Sequence, residues 1–116
     1  MEAVAIARYQ RGSVKKMNRI LELIRNKPVK EALSILEFLP KPTKRAILKT
    51  LKSAVANALV KAGKAKLSED DLYVKEAKVD TGPMLKRYRP GPRGSASMIR
   101  KRSCHITIKV ATKERE

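Results

Sequence analysis

The sequence is poor in the residues from which disulfides, metal centres and many catalytic sites are built. Its 116 residues include a single cysteine, Cys104, and a single histidine, His105. A lone cysteine has no disulfide partner within the chain, and one Cys with one His cannot supply the ligand set of a structural zinc site. We therefore expect no disulfide, no metal and no cofactor, which fits a reducing compartment.

Aromatic residues and long apolar runs are also scarce. There is no Trp, and the aromatic side chains are three Tyr and one Phe. Ala, Val, Ile and Leu must therefore form the core, which favours a compact helical or α+β domain over an aromatic-lined cavity. No apolar stretch approaches the roughly 20 residues that span a bilayer, and the N-terminus carries no secretory or transit pattern. We expect a soluble, intracellular protein with no membrane partner.

The strongest feature that is present is positive charge. Lys and Arg number 28 against 11 Asp and Glu, for a net charge of +17. Such an excess repels itself unless anions neutralise it, and nucleic acid is the densest source of phosphate. The chain has two long stretches without Asp or Glu. The shorter one, residues 38–68, carries eight Lys or Arg and predicts a basic surface on a helix.

The longest acid-free stretch is residues 81–113, in which nine positions are basic. These are Lys86, Arg87, Arg89, Arg93, Arg100, Lys101, Arg102, Lys109 and Lys113. A solvated basic loop without a target is the alternative interpretation. The absence of any acid over the whole stretch makes that alternative the weaker one.

Hydrophobic periodicity predicts three helices in the first half of the chain. The first follows Ser13, a residue that can cap a helix, and the second follows Pro28. Thr43 and Gly63 are placed to cap the two ends of the third. The apolar stripes are Val14, Met17, Ile20, Leu21 and Ile24; Val29, Ala32, Leu33 and Leu36; and Ile47, Leu51, Ala54, Val55, Ala58 and Ala62.

Alternating apolar and polar residues predict strands at the start of the chain and in its second half. We expect a short strand over residues 2–10 and a cleanly alternating one over residues 106–110. Between residues 72 and 79 the alternation changes phase by one residue. That change predicts a β-bulge near Lys75 and Glu76.

The segment between the last two strands is predicted to form a hairpin arm. It contains too little apolar surface to build a core of its own. Because strands join its two ends, its tip should lie near residues 90–94, where Pro and Gly cluster. With about ten residues in each strand, the arm would extend roughly 30 Å, long enough to enter a crevice in a large RNA. Tyr88 could stack on a base there.

Several stretches of the chain carry a resemblance to a known family. They are EAVAIARY at 2–9 with SVKK at 13–16, SAVANA at 53–58, LYVKEA at 72–77 with DTGP at 80–83 and LKR at 85–87, and KRSCHI at 101–106. In this order they resemble the large-subunit ribosomal proteins of family twenty-two, of the bacterial type. The resemblance implies an α+β fold with three helices on a small antiparallel sheet and a long protruding β-hairpin. It implies one domain, 1–116, with a globular part at 1–80 and 103–113 and an arm at about 81–102.

The resemblance also implies a function. Members are structural constituents of the cytoplasmic large ribosomal subunit, bind its ribosomal RNA and support its assembly. Their hairpin lines the polypeptide exit tunnel, where it meets neighbouring ribosomal proteins and the nascent polypeptide, and hairpin changes are linked to macrolide resistance. This chain departs from the family's usual tip, Pro-Arg-Ala-x-Gly-Arg, because Gly91 and Ser95 stand where arginines are usual.

The expected RNA-binding residues combine the arm with the start of the first helix, since free amides and the helix dipole favour phosphate at a helix N-terminus. The set is Arg8, Arg11, Ser13, Lys15, Lys16, Arg19, Lys86, Arg87, Arg89, Arg93, Arg100, Lys101, Arg102 and His105. The expected tunnel tip is Arg89, Pro90, Gly91, Pro92, Arg93, Gly94 and Ser95.

Three other function classes fit the sequence less well. A basic DNA-binding or architectural nucleoid protein is the main alternative, but the third helix is rich in alanine and the most basic segment is a loop. A membrane-surface protein would need aromatic anchors on basic amphipathic helices. An enzyme acting on RNA would need acid–base groups or a metal within the basic segment. Cys104 and His105 are neighbours on a strand and point to opposite faces. We therefore expect no enzyme activity and no catalytic residues.

Overall fold

The computed structural model describes residues 2–40, 44–62 and 71–112. The elements are β1 (Glu2–Arg11), α1 (Val14–Ile24), α2 (Val29–Phe38), α3 (Lys44–Ala62), β2 (Leu72–Thr81), β3 (Leu85–Pro90), β4 (Ala96–Lys101) and β5 (Ser103–Thr112). A short 3-10 turn, Pro92–Gly94, joins β3 to β4. The α+β class predicted from the sequence is confirmed. None of the helices in the described ranges is long and apolar enough to cross a bilayer.

β5 is the central strand of a three-stranded antiparallel sheet whose order is β1-β5-β2. Ala5 of β1 and Ala77 of β2 both lie opposite Ile108. The predicted bulge is confirmed, because the register between β2 and β5 shifts between Val74 and Glu76. The extra residue returns the apolar side chains to the inner face, so Val74 and Ala77 are both buried although three positions separate them.

The helices cover one face of this sheet. α3 packs on β1 and β5, while α1 packs on β2. Small side chains in β1 and α3, among them Ala3, Ala5, Ala54 and Ala58, are buried where these two elements meet. The largest fully buried side chains are Met17, Ile20, Leu21, Ile24, Val29, Leu36, Ile47, Leu51, Leu72, Val74, Ile106 and Ile108. The three predicted apolar stripes therefore do form the core.

Both outer edges of the sheet are occupied by groups from the helical layer. At the β2 edge, the Asn26 N–H donates to the Val74 carbonyl and the Val74 N–H donates to the Lys27 carbonyl, each at 2.9 Å. At the β1 edge, the side chains of Asn57 and Lys61 donate to backbone carbonyls of β1 at 3.1 and 2.9 Å. Edge strands with satisfied backbone groups are poor templates for pairing with another chain.

β3 and β4 pair with each other as a separate two-stranded sheet, from Leu85 opposite Lys101 to Pro90 opposite Ala96. We call β3, the Pro92–Gly94 turn and β4 the arm. Every side chain of β3 is exposed, and the molecule measures 68 × 25 × 18 Å along its principal axes. The turn lies where the sequence predicted the tip.

The paired part of the arm is shorter than expected, with six residues in each strand in place of about ten. The ladder stops after the Gly82 N–H, which donates to the Ser103 carbonyl at 3.0 Å. Pro83 follows and has no N–H to continue the pairing.

The structure also corrects one capping expectation. Ser13 occupies the N-cap position of α1, but its side chain makes no capping hydrogen bond. Its backbone carbonyl accepts the Met17 N–H at 3.1 Å, which begins the helix. The caps expected at Thr43 and Gly63 lie outside the described residues, as does the side chain of Ala62.

The buried position of β5 leads to a stability prediction. Ile108 is fully buried in the central strand, so Ile108→Ala should lower the free energy of unfolding by about 2–5 kcal/mol. Ile6 lies on the neighbouring strand and is 50% exposed, so Ile6→Ala should cost less than half as much. Urea denaturation followed by circular dichroism measures both. Equal losses of unfolding free energy in the two variants would contradict the assignment of Ile6 to the face of the sheet that the helices leave uncovered.

Candidate nucleic-acid interface

Basic side chains cover both faces of the arm. Side chains alternate between the two faces of a strand, so the register places Lys86 and Arg100 on one face and Arg87, Arg89 and Lys101 on the other. All five are exposed. Within the described ranges the ion pairs involve residues outside the arm. The arm therefore carries positive charge that the body of the protein does not neutralise.

Lys86 and Arg100 are direct cross-strand partners. Like charges directly opposite each other destabilise a strand pair. Their Cα atoms are about 5 Å apart, so the charged ends of the two side chains can approach within the Debye length of about 8–10 Å, where salt does not screen them fully. An anion between them removes the repulsion. Phosphate suits this position, because Arg offers a planar fork of donors and Lys a compact charge.

The tip is held by its own hydrogen bonds. Ser95 Oγ donates to the Pro92 carbonyl at 2.8 Å, and Arg93 adopts a left-handed φ of 57° that leaves its side chain exposed. A Cβ atom on Gly91 would lie 2.9 Å from the Ser95 carbonyl oxygen. A larger residue at position 91 would therefore force the turn to change. Glycine at this position suits the geometry of the turn.

The base of the arm brings the two predicted groups of basic residues together. Arg11 pairs with Ser103, and the Gly12 N–H donates to the Arg102 carbonyl at 3.3 Å. On one side, a cleft at the start of α1 is lined by Ser13, Lys15 and Arg102. Phosphate oxygens are favoured here by the free amides of the helix as well as by the two cations.

A second cleft lies on the other side of the arm base. It is lined by Tyr9, Arg11, Pro83, Leu85, Lys101, Arg102 and Ser103, mostly through apolar atoms. Lys16 and Arg19 are exposed on α1 but line neither cleft. Arg8 is exposed on β1, and its carbonyl accepts a hydrogen bond from the Gln10 side chain at 3.1 Å.

His105 faces away from the core and holds Tyr9. Its Nδ1 accepts the Tyr9 backbone N–H at 3.0 Å, so the neutral ring carries its proton on Nε2. The two rings meet edge to face, with centroids 5.0 Å apart and an interplanar angle of 88°. Tyr9 itself is 68% exposed. Sequence reasoning did not select Tyr9, although an aromatic residue between Arg8 and Arg11 in a chain with few aromatics was an available signal.

α3 adds basic residues next to this region. The side chains of Lys44 and Lys61, near its two ends, donate to backbone carbonyls of the protein. Arg45 and Lys49 instead line a cleft that also contains Tyr9 and Arg11. The second basic surface predicted from residues 38–68 thus joins the arm base at this point.

At the opposite end of the sheet, two glutamates partly neutralise the neighbouring lysines. Lys109 lies between Glu2 and Glu76, at 3.8 and 3.9 Å, and Glu2 is also paired with Lys75. The hydrogen bond from Lys75 is the main cause that lowers the pKa of Glu2, with further help from the charges of Lys75 and Lys109. This network lies about six residues, or roughly 20 Å, along β5 from the arm base. The ion pairs that the described residues of the sheet form therefore lie away from the arm base.

The described residues offer little for catalysis. They contain no group of three or more His, Cys, Asp or Glu side chains placed to hold a metal. Cys104 is buried, and burial raises the pKa of its thiol, which disfavours the nucleophilic thiolate.

Comparison with known proteins finds similar chains. Residues 5–111 match the family described as ribosomal protein L22p/L17e. The chain is 50% identical to the large ribosomal subunit protein uL22 of Bifidobacterium animalis subsp. lactis (strain AD011), over 98% of each chain. It is 50% identical to the protein of the same name from Thermoanaerobacter sp. (strain X514), over 98% of this chain and 100% of that one. For the protein of that name from Halothermothrix orenii the identity is 46%, over 98% of each chain.

The ion pairs of Glu2 lead to a prediction on pH. Because the pKa of Glu2 is lowered from its ordinary value of 4.5 in the folded state, its contribution to stability is present above about pH 4.5 and is lost as the pH falls through the folded value. Glu2→Gln should therefore be less stable than the parent at pH 7, and the difference should vanish in acid. Urea midpoints of both proteins between pH 7 and pH 2 measure this. A difference that persists at the acid end would contradict the ionic origin of the contribution.

Proposed function

The chain belongs to the ribosomal protein L22p/L17e family, and from this membership we propose that it is a structural constituent of the large ribosomal subunit that binds large-subunit ribosomal RNA. The family is one of structural ribosomal proteins, so the chain is not an enzyme. In a bacterium it is located in the cytoplasm, where the large subunit acts in translation.

The observation that carries the RNA-binding proposal is the arrangement of charge on the arm. Lys86 faces Arg100, and further basic residues follow on both faces and at the arm base. In the free chain these charges repel one another. Ribosomal RNA supplies phosphates on every side of such an arm, so the same charges become attractive, and the release of condensed counterions adds to the binding free energy.

The residues that we propose to contact RNA fall into three groups. On the arm they are Lys86, Arg87, Arg89, Arg93, Arg100 and Lys101. At the arm base they are Arg8, Arg11, Arg102 and His105. At the start of α1 they are Ser13, Lys15, Lys16 and Arg19. The cleft shared by Ser13, Lys15 and Arg102 links the second group to the third.

The finer part of the proposal concerns the arm in the assembled subunit. We place the globular part, 1–80 and 103–113, at the surface of the subunit. The segment of about 81–102, which contains the arm, would lie inside the subunit and line the polypeptide exit tunnel. Support comes from the exposed apolar side chains Leu85 and Met98, which an isolated arm leaves in water. Contact with RNA, neighbouring ribosomal proteins and the passing nascent polypeptide would cover them and would tie the protein into subunit assembly.

The main prediction concerns the basic residues of the arm and its base. Replacing Lys86, Arg87, Arg100 and Arg102 by Gln should weaken binding to the large subunit and leave the fold intact, because all four are exposed. A plot of the logarithm of the binding constant against the logarithm of the salt concentration should become shallower. Its slope should fall by roughly 0.7–0.9 for each phosphate that the variant no longer neutralises. The measurement is sucrose-gradient fractionation of a lysate with the tagged protein, washed at rising salt.

A matched variant controls for net charge. Replacing Lys27, Lys30, Lys75 and Lys78 by Gln also removes four of the 28 basic residues, but these lysines lie outside the arm and its base. This variant should stay on the large subunit through the same washes. Equal release of both variants would mean that total charge alone governs binding. A parent protein that runs free or follows DNA would overturn the ribosomal proposal in favour of a nucleoid protein.

A separate prediction concerns the tip. Deleting residues 89–95 and closing the hairpin removes Arg89 and Arg93 but keeps the basic residues of the rest of the arm and of its base, so the variant should still enter the large subunit and be released at a lower salt concentration than the parent. The exit tunnel should be wider where the tip stood, as measured by electron cryomicroscopy of purified large subunits. Failure of the deletion variant to enter subunits would identify the tip as an assembly anchor.

A further inference from the structure

We propose that the cleft between Tyr9 and the arm base is a stacking site for one unpaired RNA base, with the Tyr9 ring as its platform. The inference rests on the proposed RNA binding and adds a contact to a base, whereas the charged residues described above contact phosphate.

The conformation of Tyr9 is the first observation. Its φ of 56° lies in the left-handed region, which is a genuine outlier for a bulky residue other than glycine. The register between β1 and β5 shifts between Ala7 and Gln10, so Tyr9 lies in a bulge. Bulges often re-aim a side chain at a functional site, and strained residues concentrate at ligand clamps. Here the result is an aromatic ring that projects from the sheet into water.

The support of the ring is the second observation. His105 receives the Tyr9 N–H on Nδ1 and packs its ring edge to face against Tyr9. The space beside His105 is restricted, because a Cβ atom on Gly82 would lie 3.3 Å from His105 Nε2 and 2.6 Å from Ser103 Oγ. The platform is therefore held in place before any ligand arrives, which reduces the conformational entropy lost on binding.

The chemistry of the cleft is the third observation. Pro83 and Leu85 supply apolar surface, while Arg11, Lys101 and Arg102 supply positive charge at its rim, and none of the described residues that line it is acidic. Its volume of about 470 Å³ falls within the range of about 300–1,000 Å³ that is usual for small-ligand sites. A nucleotide matches both features, since its base is a flat apolar disc and its phosphate is an anion.

Stacking on Tyr9 would favour single-stranded RNA over a duplex. A base inside a duplex is already stacked on both sides, whereas bases in loops and bulges are free to stack on aromatic side chains. Stacking on an aromatic side chain tolerates any base, because every base presents a π-face. The site should therefore recognise an unstacked nucleotide without strong sequence preference.

The test compares two labelled probes by fluorescence anisotropy with the full-length protein. One probe is an adenylate RNA decamer, and the other is an abasic ribose-phosphate decamer with the same number of phosphates. The parent should bind the adenylate probe roughly five-fold or more tightly than the abasic one. Tyr9→Asn should lose this advantage and keep the affinity for the abasic probe. Asn tolerates the left-handed backbone, so the strand geometry is retained.

Three further variants make the outcome specific. Tyr9→Phe should bind both probes as the parent does, because the ring is kept. Phe38→Leu removes an aromatic ring that is 86% exposed and lines none of the clefts at the arm base, and it should change nothing. Leu85→Ser alters the other wall of the cleft on the exposed arm, and it should weaken only the adenylate complex, by two-fold or more. This variant also tests the site if Tyr9→Asn fails to fold.

The results that would contradict the stacking site differ from those that would contradict RNA binding. If Tyr9→Asn and Leu85→Ser keep the preference for the adenylate probe, the stacking site is wrong, while phosphate binding by the arm stands. A loss of affinity of Tyr9→Asn for both probes, or a loss in Tyr9→Phe, would likewise overturn stacking. If the parent binds neither probe at low salt, the proposed RNA binding fails as well.

Discussion

The continuity of β5 is the constraint on which the rest of the structure depends. This one strand pairs with β1 on one side and with β2 on the other, and its inner face supplies Cys104, Ile106, Ile108 and Val110 to the core. The chain enters β5 directly from β4, with only Arg102 between the two strands. The direction of the arm is therefore tied to the central strand of the body, and every helix that packs on the sheet also stabilises the base of the arm.

Charge is distributed unevenly along the direction of β5. Glu2 of β1 and Glu76 of β2 pair with Lys75, Lys78 and Lys109 away from the arm and partly neutralise them. Near the arm, Arg11 and Arg102 lie close to Lys101, and Asp80 of β2 lies opposite His105. A uniform distribution of the same charges would repel weakly everywhere. The repulsion is therefore partly relieved within the protein at one end of the sheet, while on the arm an external anion relieves it further.

Much of this organisation could be predicted from the sequence, because it depends on periodicity. The apolar stripes indicated the three helices, and the change of phase near Lys75 indicated the bulge, since a phase change has few physical causes. The position of the tip followed from Pro and Gly. These features are local, and the residues that encode them are close together in the chain.

Other features depend on contacts between distant residues and could not be predicted in the same way. Ser13 is a good capping residue by type, yet its backbone and not its side chain begins the helix. The early end of the arm ladder depends on how Gly82 meets Ser103 before Pro83. Tyr9 looked like an ordinary strand residue. Its exposure comes from a bulge and from His105, which is 96 positions away in the chain.

The residues of the tip fit the shape of its turn. Gly91 and Ser95 stand where the family resemblance led us to expect arginines, and these two residues are in contact, because the Gly91 N–H donates to the Ser95 carbonyl. A Cβ atom on residue 91 would crowd that same carbonyl, so the compact turn with Gly91 excludes an arginine there. The tip then retains Arg93 as its only basic side chain between Pro90 and Ser95. Positive charge is accordingly concentrated in the two strands and at the arm base, where Lys86, Arg100 and Arg102 lie, and the tip contributes mainly the shape of its turn.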